Sequence, residues 1–364
     1  MKRTDNKGEG FLTLLLAALI IGLVEGLARP EAPPLQGVAA WNATDSVPAR
    51  AHLAYSPQQT LVEEEAWASL TRPDTPSEPR PPLGHFFQAL DRLQQRGGKV
   101  RIGYFGDSMI EGDLITESLR SALQARFGGA GVGFVPITSQ THRFRKSIRH
   151  DFSDDWEEYS FLQPNPTPHD FGISGEFFLT RRPGSAGRTW VQYAGGDSDP
   201  RTAAFSQVKL YYGPPPDGAS ASVSVQTNQG ENQLPLKGQS PVNELILSTG
   251  ETREIKAAFS IPQDLPVFGC SFEADTGIYL DNFASRGSSG LNLVDIPAPT
   301  LRAFNAHMDY DLIILHFGLN VVAPERRSFR SYERGMKKVV AHFQACMPQA
   351  DILIVSVSDK STRI

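Results

Sequence analysis

The sequence predicts an α/β domain, a doubly wound parallel sheet of flavodoxin-like order, interrupted by an inserted antiparallel β-sandwich. Three observations predict it. Four short runs, Val100–Phe105, Gly277–Leu280, Asp311–His316 and Asp351–Val357, are almost continuously apolar, as strands buried on both faces must be. Helical spacing recurs between them, in Leu114, Leu119, Leu123 and Phe127, and again in Tyr332, Met336, Val340 and Phe343. Between the first two runs, residues 134–269 lose that spacing and carry short alternating segments separated by Gly, Pro, Asp and Asn.

The chain has 364 residues, 40% of them hydrophobic, enough for one substantial core and for a second. A net charge of −5 argues against a general polyanion binder, so nucleic acid is not an expected partner. Cys270 and Cys346 are too few for a disulfide framework and read as buried thiols. The sequence holds no Cys-x-x-Cys, His-Glu-x-x-His or Gly-x-x-x-x-Gly-Lys, and no metal or other cofactor is expected.

Each element follows in order. Lys2, Arg3 and Lys7 precede the apolar run Phe11–Val24, the pattern of an export signal; residues 1–28 read as a signal anchor or signal peptide. Gly26 and Ala28 offer a small-x-small cleavage site, whereas an uncleaved segment 11–28 would be held in the inner membrane. Residues 29–82 are rich in Pro, Ala, Ser and acidic residues and read as a flexible linker, with one short helix over Leu61–Leu70. Structure begins near Leu83, where Phe86, Phe87, Leu90 and Leu93 give helical spacing that Gly97-Gly98 ends. The domain thus divides into a first core part, 83–133, the sandwich, 134–269, and a second core part, 270–364. Within the sandwich the predicted strands are Glu176–Thr180, Trp190–Tyr193, Gln207–Tyr212, Ser222–Gln226, Glu244–Ser248 and Glu254–Phe259.

The chemistry-bearing residues cluster at strand ends. The first strand runs into Gly106-Asp107-Ser108, and a helix is expected to begin immediately after. That layout brings one hydroxyl to the carboxyl edge of the sheet, beside backbone N–H groups and a positive helix end, and makes Ser108 a candidate nucleophile. After the second strand, Gly287 can present its backbone N–H to an oxyanion. After the third, His316-Phe317-Gly318-Leu319-Asn320 offers the Asn320 amide. The carboxyl edge of an open α/β sheet is where ligands bind. Asp107, Asp113 and Gly318 are expected to support the turns, and His316, with no carboxylate partner in view, to pack in the core. The basic stretch His142–His150 is followed directly by Asp151, Asp154 and Asp155 and reads as a solvated loop face.

This order of blocks resembles the SGNH (GDSL-type) hydrolases. The run Gly106-Asp107-Ser108-x-x-x-Gly112-Asp113, with Phe127-Gly128-Gly129-Ala130-Gly131-Val132-Gly133-Phe134-Val135-Pro136 after the helix, is similar to the bacterial peptidoglycan O-acetylesterase branch. The resemblance implies a carbohydrate-binding-like insertion at 134–269, Ser108 as nucleophile, and an oxyanion hole from the N–H groups of Ser108 and Gly287 and the Asn320 side chain. It implies an exported serine esterase, anchored at the periplasmic face of the inner membrane or secreted to the periplasm, that removes O-acyl groups from an envelope glycan. Two departures stand beside it. Asn320 is followed by Val321 where the family has Asp, and none of the eight histidines has an aspartate three residues before it, so the family's Asp-x-x-His block is missing. The expectation is therefore a C-terminally incomplete sheet, a fragment of a longer esterase. A polysaccharide O-acetyltransferase and a non-catalytic glycan-binding protein are the alternative readings; the lack of a base favours the second for the fragment as given.

Overall fold

The computed structural model describes residues 82–181, 183, 188–322 and 328–356. The expected signal segment 1–28, the linker up to residue 81 and Val357 lie outside the described residues. Among the described residues no helix is long and apolar enough to cross a membrane. Those from Leu83 onward belong to one compact unit.

Helix α1 (Gly84–Arg96) buries Phe86, Leu90 and Leu93 and ends at Gly97, whose N–H donates to the Leu93 carbonyl. Strand β1 (Lys99–Gly106) is buried from Val100 onward. It pairs in parallel with β13 (Gly277–Ala284) on one side and β14 (Leu312–His316) on the other. Strand β15 (Asp351–Ile354) adds in parallel to β14, giving the order β13-β1-β14-β15. Helices α1 and α2 (Leu114–Phe127) lie together on one side, α1 on β1 and β15, α2 on β13. Helices α3 (Ala298–Met308) and α4 (Arg330–Cys346) pack together on the other, where Leu301, Phe304, Val339 and Phe343 meet Phe105, Ile313 and Leu315. The doubly wound parallel sheet is as expected.

Several local readings shift. In α2 the buried stripe is Ile115, Leu119, Leu123 and Phe127, and Leu114 is exposed. The sequence reading named no helix at α3, although Leu301, Phe304 and Met308 carry the spacing and Pro299 stands in its first turn. Strand β13 runs past Leu280 through a segment that looked like loop, because Asp281 is a buried acceptor rather than a surface group. Both Cys270 and Cys346 are buried and unpaired.

The insertion is a two-sheet antiparallel sandwich. One sheet has the order β10-β7-β12-β5-β4, with β2 also on β12; the other is β3-β6-β11-β8-β9. Their strands are β2 (Gly133–Pro136), β3 (Ile148–Phe152), β4 (Trp156–Ser160), β5 (Glu176–Thr180), β6 (Thr189–Gly195), β7 (Phe205–Tyr212), β8 (Ser222–Thr227), β9 (Gly230–Pro235), β10 (Asn243–Thr252), β11 (Glu254–Ser260) and β12 (Val267–Glu273). Phe178, Val191, Leu210, Val223 and Ile255 fill the space between the sheets. Antiparallel pairing continues along β12 to Phe272 and Glu273, past the expected limit at 269. The chain approaches itself closely where the insertion leaves the core. A Cβ on Gly277 would come within 2.2 Å of the Gly129 Cα, and one on Gly129 within 2.9 Å of the Ile278 backbone, so glycine is a steric requirement at both positions.

The sandwich docks on the core through Phe134 against Phe283 and through Phe268 and Tyr211 against Phe304. Buried charge reinforces this seam. The Arg101 guanidinium donates to both Asp281 oxygens at 2.9 and 3.0 Å and pairs with Glu273 at the end of β12. Asp281 also accepts from the Tyr310 hydroxyl at 2.6 Å and from the Phe134 N–H at 2.8 Å. Burial alone would lower the Arg101 pKa, but the two carboxylates outweigh it and hold the guanidinium well above its ordinary value.

Candidate active site

Gly106, the last residue of β1, sits between Ala284 of β13 and His316 of β14. The three candidate segments therefore leave the sheet from adjacent, aligned strand ends. Ser108 is exposed. The helix expected directly after it is deferred: Ser108 opens a turn in which the Glu111 N–H donates to its carbonyl at 3.3 Å. A single 3-10 turn, Glu111–Asp113, and Gly112 at φ +70° then precede α2. Ser108 thus stands off the α2 N-terminus, and the positive helix end invoked for it is not beside it. Its Oγ makes no hydrogen bond among the described residues.

Asp107 is buried and acts as the organiser of the turn. Its Oδ1 accepts the Met109 N–H at 2.9 Å, and its Oδ2 accepts the Asn320 amide at 3.2 Å. The same amide nitrogen donates to the Ser288 carbonyl at 2.9 Å. One side chain, Asn320, thereby ties the Ser108 block to the Gly287 block. Further bonds brace the edge: Ser285 N–H to the Gly106 carbonyl at 2.8 Å, Asn282 to the Ile110 carbonyl at 2.7 Å, and the Tyr332 hydroxyl of α4 to the Ser289 carbonyl at 2.9 Å.

Gly287 is exposed at φ +78°, third in a Ser285–Ser288 turn closed by a 3.1 Å bond, the place where a type II turn demands a positive φ. Its N–H is not engaged among the described residues. Gly318, at φ +135°, accepts the N–H groups of Val321 and Val322, turning the chain so that Asn320 faces back to Asp107.

His316 packs as expected. It is 3% exposed, its Nδ1 lies 3.1 Å from the Tyr104 hydroxyl, and burial lowers its pKa. Asp113 is likewise structural: buried, it takes two bonds from Arg120 at 2.8 and 2.9 Å and others from Thr116 and Ser147. Burial would raise its pKa, but Arg120 and Arg145 hold it well below the usual carboxylate range.

The basic stretch is not simply a solvated face. Arg145 turns inward to Asp113, its Nε at 3.4 Å, and His150, on the buried face of β3, stacks its ring on Tyr193. Arg143, Phe144, Lys146 and Arg149 do face solvent. The sequence reading missed a further group entirely. Glu176 on β5 is drawn toward a neutral state, its pKa pushed up to about 8 by burial and then by neighbouring Glu158. Its signal, a Glu opening an apolar strand, is common to many edge positions.

No protein-family model matches the chain, and no curated protein matches it in sequence. Among solved structures it is similar to a peptidoglycan O-acetylesterase, at 22% identity and a TM-score of 0.58, over 74% of this chain and 71% of that one. It also aligns with a family two carbohydrate esterase from Cellvibrio japonicus, at 11% identity and a TM-score of 0.19, over 57% of this chain and 78% of that one. A third match is the salicylyl-acyltransferase SsfX3, at 10% identity and a TM-score of 0.22, over 61% and 84%. The first of these shares the fold; the other two share too little geometry to bear on the site.

Proposed function

We propose that this chain is a serine esterase of the SGNH type that removes O-acyl groups, acetyl above all, from peptidoglycan or another cell-envelope polysaccharide. The observation that carries this reading is the Asp107–Asn320–Ser288 link, which joins an exposed serine, its Oγ unbonded among the described residues, to an open glycine N–H and an amide at three adjacent strand ends. The shared fold with a peptidoglycan O-acetylesterase supports the substrate class.

In this reading the Ser108 Oγ attacks the acyl carbonyl, and the Ser108 and Gly287 N–H groups and the Asn320 amide receive the oxyanion. Asn320 gives up its longer bond, to Asp107, when it does so. The sugar hydroxyl leaves with a proton, and water then attacks the acyl-enzyme to release the acid. The proton taken from Ser108 requires a general base, and no residue of this sequence is assigned that role. The export pattern of residues 1–28 suits action at the periplasmic face of the inner membrane.

The test is release of acetate from O-acetylated peptidoglycan by the full-length gene product and its Ser108→Ala variant. Ser108→Ala is expected to lose at least about 10³-fold in kcat with its unfolding midpoint unchanged. Equal acetate release by both proteins sinks the esterase. Transfer of acetyl to added sugar acceptors faster than hydrolysis assigns the chain to acyl transfer instead.

A further inference from the structure

A cavity of about 340 Å³ has a wall shared between core and sandwich; Ser108, Gly287 and Asn320 do not line it, but residues of the turns that hold Ser108 and Gly287 do. The core side carries Glu111, in the turn that Ser108 opens, and Ser285 and Arg286, directly before Gly287. The sandwich side carries the loop after β2 and one face of the β4–β5 ladder. Ser160 pairs with Glu176 across that ladder, and Glu158 lies two residues along β4, so these three side chains point the same way. The opposite face holds Tyr159 and Phe177, stacked 4.8 Å apart in the core.

The wall's charges are largely used up. Arg286 pairs with Glu111, with one bond at 3.2 Å, and Arg145 faces Asp113. Glu158 accepts only the Thr138 hydroxyl, at 2.9 Å, and no hydrogen bond reaches the Glu176 carboxyl among the described residues. The Nη2 of Arg145, buried in the same wall, also has no partner among the described residues. A cavity so lined offers hydroxyls, amides and two carboxyl groups that the protein itself leaves nearly unbonded. The costly group among these is the buried Arg145 Nη2, and a polar ligand in the cavity would give it the partner it lacks. The spare acceptor Glu158 disfavours an anion there, and the many hydroxyls and amides of the wall suit a polar ligand better than a hydrophobic one.

We propose that this cavity is a saccharide subsite that holds a neutral sugar unit next to the acylated one, with Glu158 and Glu176 bonding its hydroxyl or amide groups. It rests on the esterase reading for the identity of the glycan. Glu176, protonated near neutral pH, donates a hydrogen bond and Glu158 accepts one, so the pair reads adjacent polar groups of opposite sense. Of the charged groups that line the same cavity, Glu158 from β4 acts on the Glu176 carboxyl; the others are Arg145 from the loop before β3 and Glu111, Asp113 and Arg286 from the core edge. Deprotonation of Glu176 removes the donor and adds a second negative charge beside Glu158, so affinity falls as pH rises through about 8.

The experiment measures binding of soluble O-acetylated peptidoglycan oligosaccharides by calorimetry to the full-length Ser108→Ala protein, which separates binding from turnover. Added to it, Glu176→Ala is expected to weaken binding about tenfold or more, and Ser160→Ala, a smaller lesion on the same face, to weaken it less. Glu176→Gln, which keeps a donor at every pH, restores affinity at pH 7 and removes the decline between pH 7 and 9. Unchanged affinity in Glu176→Ala overturns the subsite, as does a pH dependence that survives in Glu176→Gln, or no binding by the parent. Failure of the esterase reading shows separately, as acetate release that does not depend on Ser108.

Discussion

Two regions built from the same strands, β1 and β13, are held by opposite means. At the seam, Arg101, Asp281, Glu273 and Tyr310 satisfy one another out of reach of solvent, and the Phe134 N–H completes the set. At the carboxyl edge, a few residues further along, the Ser108 hydroxyl and the Gly287 N–H are unbonded among the described residues, and their loops are bridged by the Asn320 amide and by the exposed Arg286–Glu111 pair. The difference separates two tasks. Buried charges whose partners are all present fix how the sandwich sits on the core. On the proposed reading, the groups that would bond a substrate are the ones left without partners at the edge.

The contrast predicts its own largest effect. Arg101→Met leaves Asp281 and Glu273 buried without their cation and is expected to cost about 3–5 kcal/mol, read as a lower urea midpoint. Glu273 makes the point sharper with pH. Its carboxyl is held well below the usual range; burial opposes this, but Arg101 and then Lys99 outweigh it. A lowered carboxylate pKa adds stability above the unfolded value, near 4, and loses it as pH falls further. The variant is therefore expected to lose most near neutral pH and to converge with the parent in acid. A loss under about 1 kcal/mol at pH 7 would mean that the apolar contacts alone hold the seam.

At the edge the balance reverses, with a large effect on rate and a small one on stability. Asn320→Ala removes one neutral amide from an exposed position, so about 1 kcal/mol is expected from its two bonds. If the amide receives the oxyanion, kcat for acetate release falls about 10²–10³-fold. A fall of less than tenfold, with the same stability loss, would reduce Asn320 to a tie between loops. Both values come from one preparation of the full-length variant, by steady-state kinetics and by thermal unfolding.

The same contrast explains what the sequence disclosed. The four core strands, the interruption and most sandwich strands were legible because burial on two faces, or on alternate residues, leaves a periodic trace. Strand β13 was read short because Asp281 and Asn282 look like a loop until Arg101 and Tyr310 are known to meet Asp281 across the sheet. Strand β12, buried at every position from Val267 to Glu273, goes unread in the sequence, because Pro266, Gly269 and Glu273 break up its apolar run. The site blocks were legible because turn residues and strand ends mark themselves. Two things were not. Gly112, in a left-handed turn, delays α2 and moves Ser108 off the helix end. The Glu158–Glu176 face depends on which strands pair, and no local pattern encodes that.

The smallest predicted effect tests how open the edge is. Gly287 sits at φ +78°, yet a Cβ there would meet nothing within 4 Å. Gly287→Ala should therefore carry only the left-handed backbone cost, about 1 kcal/mol, against the much larger loss at Arg101. The N–H survives the substitution, so a backbone oxyanion donor keeps kcat for 4-nitrophenyl acetate within a few-fold. With the glycan the same variant asks a further question, since an added methyl stands on the exposed side of the turn next to the Ser285–Arg286 wall. A KM increase confined to the glycan would show that bound sugar crosses the turn closely. A collapse of kcat for both esters would mean that the turn itself moves, and that the openness seen in the free protein is not the geometry in which the oxyanion is held.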